Sequence, residues 1–134
     1  MIATKRIAFA CLVAMTGACG DGNTTPTSPT TTTAMNESWS SVLAPGGTSS
    51  RSFTVNAAGT ITVTMTSAGA TVGLGVGLPR TTGGGCRLGV SVSTGGSASP
   101  QIATSADAGQ YCVQVFDLGT LTDPISFALK IDHP

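Results

Sequence analysis

Beyond Glu37 the chain alternates apolar residues with polar or small ones, and a period of two predicts half-buried strands. The clearest run is Thr60–Thr66, where Ile61, Val63 and Met65 point one way while Thr60, Thr62, Thr64 and Thr66 point the other. Ser52–Val55 puts Phe53 and Val55 on one face, and Tyr111, Val113 and Val115 make another. Leu88, Val90 and Val92 alternate with Gly89, Ser91 and Ser93, and Ile125, Phe127, Leu129 and Ile131 close the series. Trp39–Leu43 predicts a first strand, and Pro100–Thr104 a weaker one around Ile102. Turn formers separate the runs at Pro45–Gly47, Asn56–Gly59, Ser67–Ala70, Pro79–Gly85, Gly95–Gly96, Asp107–Gly109 and Leu118–Pro124. No run shows helical spacing of its apolar residues. The pattern predicts an all-β domain over 37–134, an antiparallel, jelly-roll-like β-sandwich of about eight short strands.

One run is unusual. Val72, Leu74, Val76 and Leu78 alternate with Gly73, Gly75 and Gly77, which leaves one face of that strand without side chains. A bare face can admit a flat ligand or another backbone. The simpler expectation is an edge or bent strand, tolerated because its other face is well buried.

The first part of the chain obeys different rules. Lys5 and Arg6 precede an uncharged apolar stretch, Ile7–Met15, and the small residues Gly17 and Ala18 lead to Cys19. Charge, a short apolar run and a small-residue site in that order make a secretory signal. These residues resemble the lipobox of bacterial lipoproteins, although Thr16 stands where Leu or Val is usual. The resemblance implies cleavage after Ala18, a lipidated Cys19, and localisation to an outer membrane or cell surface. Residues 1–18 are thus expected to be a lipoprotein signal peptide. Residues 19–36 would then be the lipidated cysteine and a disordered tether rich in Thr, Pro and Ser, too poor in apolar residues to offset its ordering entropy. Gly20–Met35 would reach roughly 50 Å when extended, at about 3.3 Å per residue. Without lipidation the same chain would be a released, secreted accessory domain in the periplasm or outside the cell.

Charge narrows the partners. Beyond the signal, Arg51, Arg80, Arg87 and Lys130 face Asp21, Glu37, Asp107, Asp117, Asp123 and Asp132, a negative balance with no basic footprint for nucleic acid. The expected partners are the membrane, through the lipid, and an envelope protein or polysaccharide. With Cys11 in the signal and Cys19 given to lipid, Cys86 and Cys112 remain, and export favours a disulfide over two free thiols or a metal pair. Such a bridge restrains the unfolded chain by about 3–4 kcal/mol on the loop-entropy model.

Catalytic constellations are hard to find. His133 is the only histidine and is penultimate, where chain ends are usually mobile. Gly89–Ser93 does not complete a nucleophile elbow, and Gly83–Gly85 lacks the lysine and helix of a phosphate loop. Asp117 and Asp123 flank one loop and are weak Ca²⁺ candidates; no other metal or cofactor is expected. Trp39 is the one candidate for stacking a sugar ring, the basis of an alternative reading as a carbohydrate-binding module. The expectation is a non-enzymatic module.

Tyr111 and Cys112 are adjacent and so face opposite sides of a strand, which excludes the immunoglobulin pattern, where tyrosine and cysteine lie two apart. Ala58–Val63, then Ala108-Gly109-Gln110-Tyr111-Cys112-Val113-Gln114-Val115, then Ile125–Ile131 resemble instead the bacterial pre-peptidase C-terminal domain. The segment also resembles small uncharacterised predicted lipoproteins of environmental bacteria. The resemblance spans roughly Glu37 to Pro134 and implies a β-sandwich accessory or binding module.

Overall fold

Strand-forming alternation produces the elements directly. The computed structural model describes residues 32–134, so Cys19, the signal and most of the expected tether lie outside the described residues. Eight strands run as Met35–Leu43 (β1), Thr48–Val55 (β2), Gly59–Ala68 (β3), Val72–Pro79 (β4), Cys86–Thr94 (β5), Ile102–Ala106 (β6), Gly109–Phe116 (β7) and Ile125–His133 (β8). They build two four-stranded antiparallel sheets, in the orders β1-β8-β3-β6 and β2-β7-β4-β5. Only the β4–β5 connection stays within one sheet. Every other connection crosses to the opposite sheet, which is the jelly-roll arrangement of a β-sandwich.

The inward residues of both sheets form one core. Ile61, Val63 and Met65 of β3 meet Leu74, Val113 and Val115 from the opposite sheet, all fully buried. Burial of each such side chain is worth about 1.5–3 kcal/mol, so the alternation itself supplies the main stabilising force. Phe127, Leu129 and Ile131 complete the core, with Trp39 packed against its margin.

Three features depart from the pattern. β1 begins at Met35, inside the stretch expected to be tether, because Met35 and Asn36 pair with His133 and Asp132. His133, expected to be mobile, is instead buried at the end of β8. Most consequential is a bulge in β5. Val76 pairs with Val90, but Gly77 pairs with Leu88, so Gly89 is the extra residue and every side chain before it changes face. Leu88 therefore lies on the outer face of its sheet, and Leu78, cross-strand from Arg87, is 50% exposed.

The bulge explains the glycine column. β4 is neither an edge strand nor bare: it lies between β7 and β5, and Val72–Gly77 is buried on both faces. A Cβ on Gly73 would run into the Phe116 ring, and one on Gly75 would meet the Leu88 methyls at 2.7 and 2.8 Å. A Cβ on Gly77 would collide with the backbone of Arg87. Neighbouring strands thus fill the column: the expected edge strand gives way, while at Gly77 the bare face does admit another backbone. Beside Gly77 lies Cys112, disulfide-bonded to Cys86 with a Cα separation of 5.9 Å. The bridge joins β7 to β5, the two neighbours of β4. Gln114, on the same face, accepts a hydrogen bond from the Cys86 N–H at 3.1 Å.

Gly77→Ala, forced against main chain that cannot rotate away, should destabilise the domain by about 1–3 kcal/mol in urea unfolding. Gly95→Ala, whose nearest obstacle is the Thr71 hydroxyl at 3.8 Å, should stay within about 0.5 kcal/mol of the parent. Reduction of Cys86–Cys112 should cost about 2–5 kcal/mol, matched by the Cys86→Ser/Cys112→Ser chain. Mass spectrometry of unreduced protein checks the bond, since two freely alkylated thiols would contradict it.

Candidate functional site

The sandwich has two long flanks, and they differ. On the β1–β2 flank, Glu37 and Arg51 occupy inward-facing positions of the two edge strands. Glu37 Oε2 accepts from Arg51 Nη2 at 3.2 Å, while its Oε1 lies 3.2 Å from His133 Nε2. His133 Nδ1 contacts the Pro134 carbonyl at 3.3 Å, and its ring packs on Phe53 with centroids 5.1 Å apart. Arg51 Nη1 also donates to the Ser38 carbonyl at 3.5 Å. Inward charges on edge strands obstruct pairing with another chain, so this flank is closed.

The β5–β6 flank is open. There the Gly89 bulge does its chemistry: without the extra residue Leu88 would stand opposite Leu78, but with it Arg87 takes that place. A cavity of about 430 Å³ opens between Leu78, Arg87 and Val90 on one side and Thr104, Ser105 and Tyr111 on the other. A second, also about 430 Å³, continues from Leu78 and Arg87 to Arg80, Thr81 and Thr82 in the β4–β5 loop. That loop turns through the left-handed glycines Gly83, Gly84 and Gly85 and closes by the Arg80 N–H donating to the Gly85 carbonyl at 3.1 Å. Arg80 Nε donates to the Cys86 carbonyl at 3.3 Å, which holds its guanidinium near the start of β5. Among the described residues neither Arg80 nor Arg87 has an ion-pair partner. Tyr111 sits at the margin, its hydroxyl accepting from the Asp107 N–H at 3.2 Å.

The residues expected to carry chemistry do not gather here. Trp39 is half-buried, its ring edge-on to Phe127 at 5.0 Å, and among the described residues no aromatic side chain is exposed. Asp117 and Asp123 take different tasks. Asp117 Oδ2 accepts from the Gly46 N–H at 2.7 Å, and Oδ1 accepts from Gly119, Thr120 and Leu121 at 2.9, 3.0 and 3.2 Å. Both oxygens are committed to main-chain donors that tie the β7–β8 loop to the β1–β2 turn, so the N–H groups occupy the positions a cation would take. Asp123 is exposed and accepts only from the Thr122 hydroxyl at 3.1 Å. Among the described residues no three His, Cys, Asp or Glu side chains group as metal ligands do. Cys86 and Cys112 are joined beside the open flank, and Cys19 lies outside the described residues.

Arg80, Arg87, Leu78 and Tyr111 are the groove residues that sequence reasoning passed over. One signal pointed to them: an isolated glycine inside a strand pattern, here Gly89, marks a bulge. No protein-family model matches the chain, and no curated protein matches it.

The Gly46 N–H bond to Asp117, joined by those from Thr120, Leu121 and Gly119 and opposed by partial desolvation, holds this carboxyl below its ordinary value. A carboxyl depressed in the folded state stabilises the fold above its unfolded pKa of about 3.9, and that contribution disappears as pH falls through the folded value. Asp117→Asn should therefore destabilise the domain at pH 7, and the gap to the parent should close below about pH 4. Urea midpoints measured across that range give the answer.

Proposed function

We propose that this chain is an exported, lipid-anchored, non-enzymatic module of the cell envelope that works by binding. The observation carrying the reading is the contrast between the flanks. One is sealed by Glu37, Arg51 and His133, while the β4–β5 hairpin on the other presents exposed Leu78 and an Arg87 that has no ion-pair partner among the described residues. Sites built on strands hold their side chains more precisely than sites on loops. The anchor in this reading is Cys19, for which the order of charge, apolar run and small residues argues. Two or three acyl chains hold a protein at a membrane where one chain, at about 0.8 kcal/mol per buried methylene, does so only reversibly. The likeness of Ala58–Val63 and Ala108–Val115 to pre-peptidase C-terminal modules belongs to the same reading, since such modules are accessory sandwiches. The half-buried Trp39 gives the carbohydrate alternative little to stack on.

Cell fractionation with a radiolabelled fatty acid tests the anchor. The parent should carry label and sediment with membranes, and Cys19→Ala should be unlabelled and soluble after export. Label persisting on the Cys19→Ala chain would overturn the assignment.

A further inference from the structure

We infer that the end of the β4–β5 hairpin is a binding site for an amphipathic oxyanion, a carboxylate or phosphate carried on an apolar stem. The inference rests on the binding-module reading and names its ligand class. Arg80 and Arg87 line the same cavity, and neither meets a carboxylate among the described residues. The contrast with Arg51, which is paired to Glu37, shows that this fold can partner an inward arginine. Two guanidiniums that line one cavity carry like charge, and an oxyanion bound in that cavity offsets it while accepting charge-assisted hydrogen bonds.

This cavity and its neighbour, which share Leu78 and Arg87, define what the anion is attached to. The Thr81 and Thr82 hydroxyls add neutral donors on the loop side. On the strand side Leu78 is 50% exposed, and Val90 and Gly77 continue the apolar wall toward Tyr111. A bare anion would use the arginines and leave this wall wet, whereas an apolar stem would cover it. Among the described residues no acid lines either cavity, and Asp107 lines a separate hollow that shares Tyr111, with Ala58, Thr60 and Ser105. The domain as a whole carries more acids than bases, so the arginine pair is a local feature and not part of a general basic surface.

The site is also preorganised. Arg87 is placed by the Gly89 bulge, Arg80 is held by the Cys86 carbonyl, and the Cys86–Cys112 bond fixes the strand between them. The main chain that carries both arginines, and the Arg80 side chain through its bond to Cys86, are therefore placed before binding, which lowers the ordering cost.

The test is a nitrogen-15 NMR titration of the full exported Cys19→Ala chain with octanoate, octyl phosphate, acetate, inorganic phosphate and neutral octanol. Octanoate or octyl phosphate should saturably shift the Leu78, Thr81 and Arg87 amides, binding at least about tenfold tighter than its bare anion and than octanol. Whichever of the two binds better identifies the source chemistry. Arg87→Gln and Leu78→Ser should each weaken that binding by about tenfold, and 1 M salt should weaken it too, because the Debye length falls to about 3 Å. An unchanged fingerprint elsewhere in the spectrum shows that the variants fold. Octanol binding as well as the anions, bare anions binding as well as their octyl forms, an unaffected Arg87→Gln chain, or no binding at all would each overturn the inference. Failure here removes the ligand class only, while the fatty-acid labelling decides the anchored module by itself.

Discussion

The start of β5 lies so close over Gly77 of β4 that no side chain would fit between them, and much else depends on this approach. Main chain reaches main chain there because Gly77 has no side chain, and Arg87 fills the space a Cβ would take. The approach brings Cys86 over the sheet, 5.9 Å from Cys112 on the far neighbour of β4. It also consumes one residue, Gly89, as a bulge, and that shift moves Leu88 outward to cover Gly75. Disulfide, filled glycine column and inward Arg87 are therefore one arrangement seen from three sides. A bulky residue at position 77 would strain all of them together.

Covering the outer face of the β2-β7-β4-β5 sheet matters for a domain with so few large residues. Phe116 and Leu88 sit over the glycines and the disulfide closes the end, so β4 is buried on both faces as a strand in a three-layer fold would be. The opposite sheet achieves its order differently. A bulge at Thr66 in β3 lets the Thr66 hydroxyl donate to the Ala128 carbonyl at 3.0 Å. Just before the start of β6, Gln101 then extends the sheet: its side chain accepts from the Met65 N–H at 2.6 Å and donates to the Met65 carbonyl at 3.3 Å. On the closed flank, Arg51 and Glu37 side chains are 42% and 24% exposed, and such pairs contribute only about 0–1 kcal/mol. Their value lies in occupying the two edges, not in net stability.

How far the sequence alone could be read follows from which forces act locally. Alternation is a local property, so Ile61, Val63 and Met65, like Phe127, Leu129 and Ile131, were legible as core. The disulfide was legible because an even pair, with the export expected from the first residues, argues for it without any geometry. Register within a sheet is not local: the β5 bulge depends on Gly77 of another strand, so Leu88 read as inward and Arg87 as unremarkable. Chain ends mislead for a related reason. Met35 and His133 look peripheral along the chain, yet each supplies the other with a strand partner. Asp117 was legible as a turn residue but not as a link to Gly46, since that contact joins segments 71 residues apart.

Registers also fix where the groove lies relative to the start of the domain. Met35 pairs with His133, Asp132 with Thr62, and Thr60 with Ser105, so the beginning of β1 and the end of β6 share one end of the sandwich. In the other sheet, Gly77 pairs with Cys112 and Val55 with Gly109, which directs Leu78, Arg80 and Arg87 toward the end where β2 finishes and β7 begins. The Asn56 N–H donates to the Pro134 carbonyl at 3.0 Å and ties these two ends together. The groove therefore opens at the end where the chain joins β1. Asp117 and the β1–β2 turn occupy the opposite end, where four main-chain donors hold the loops together instead of leaving them free to bind. One end is thus spent on closure, and the open chemistry is concentrated at the end where the chain joins the domain.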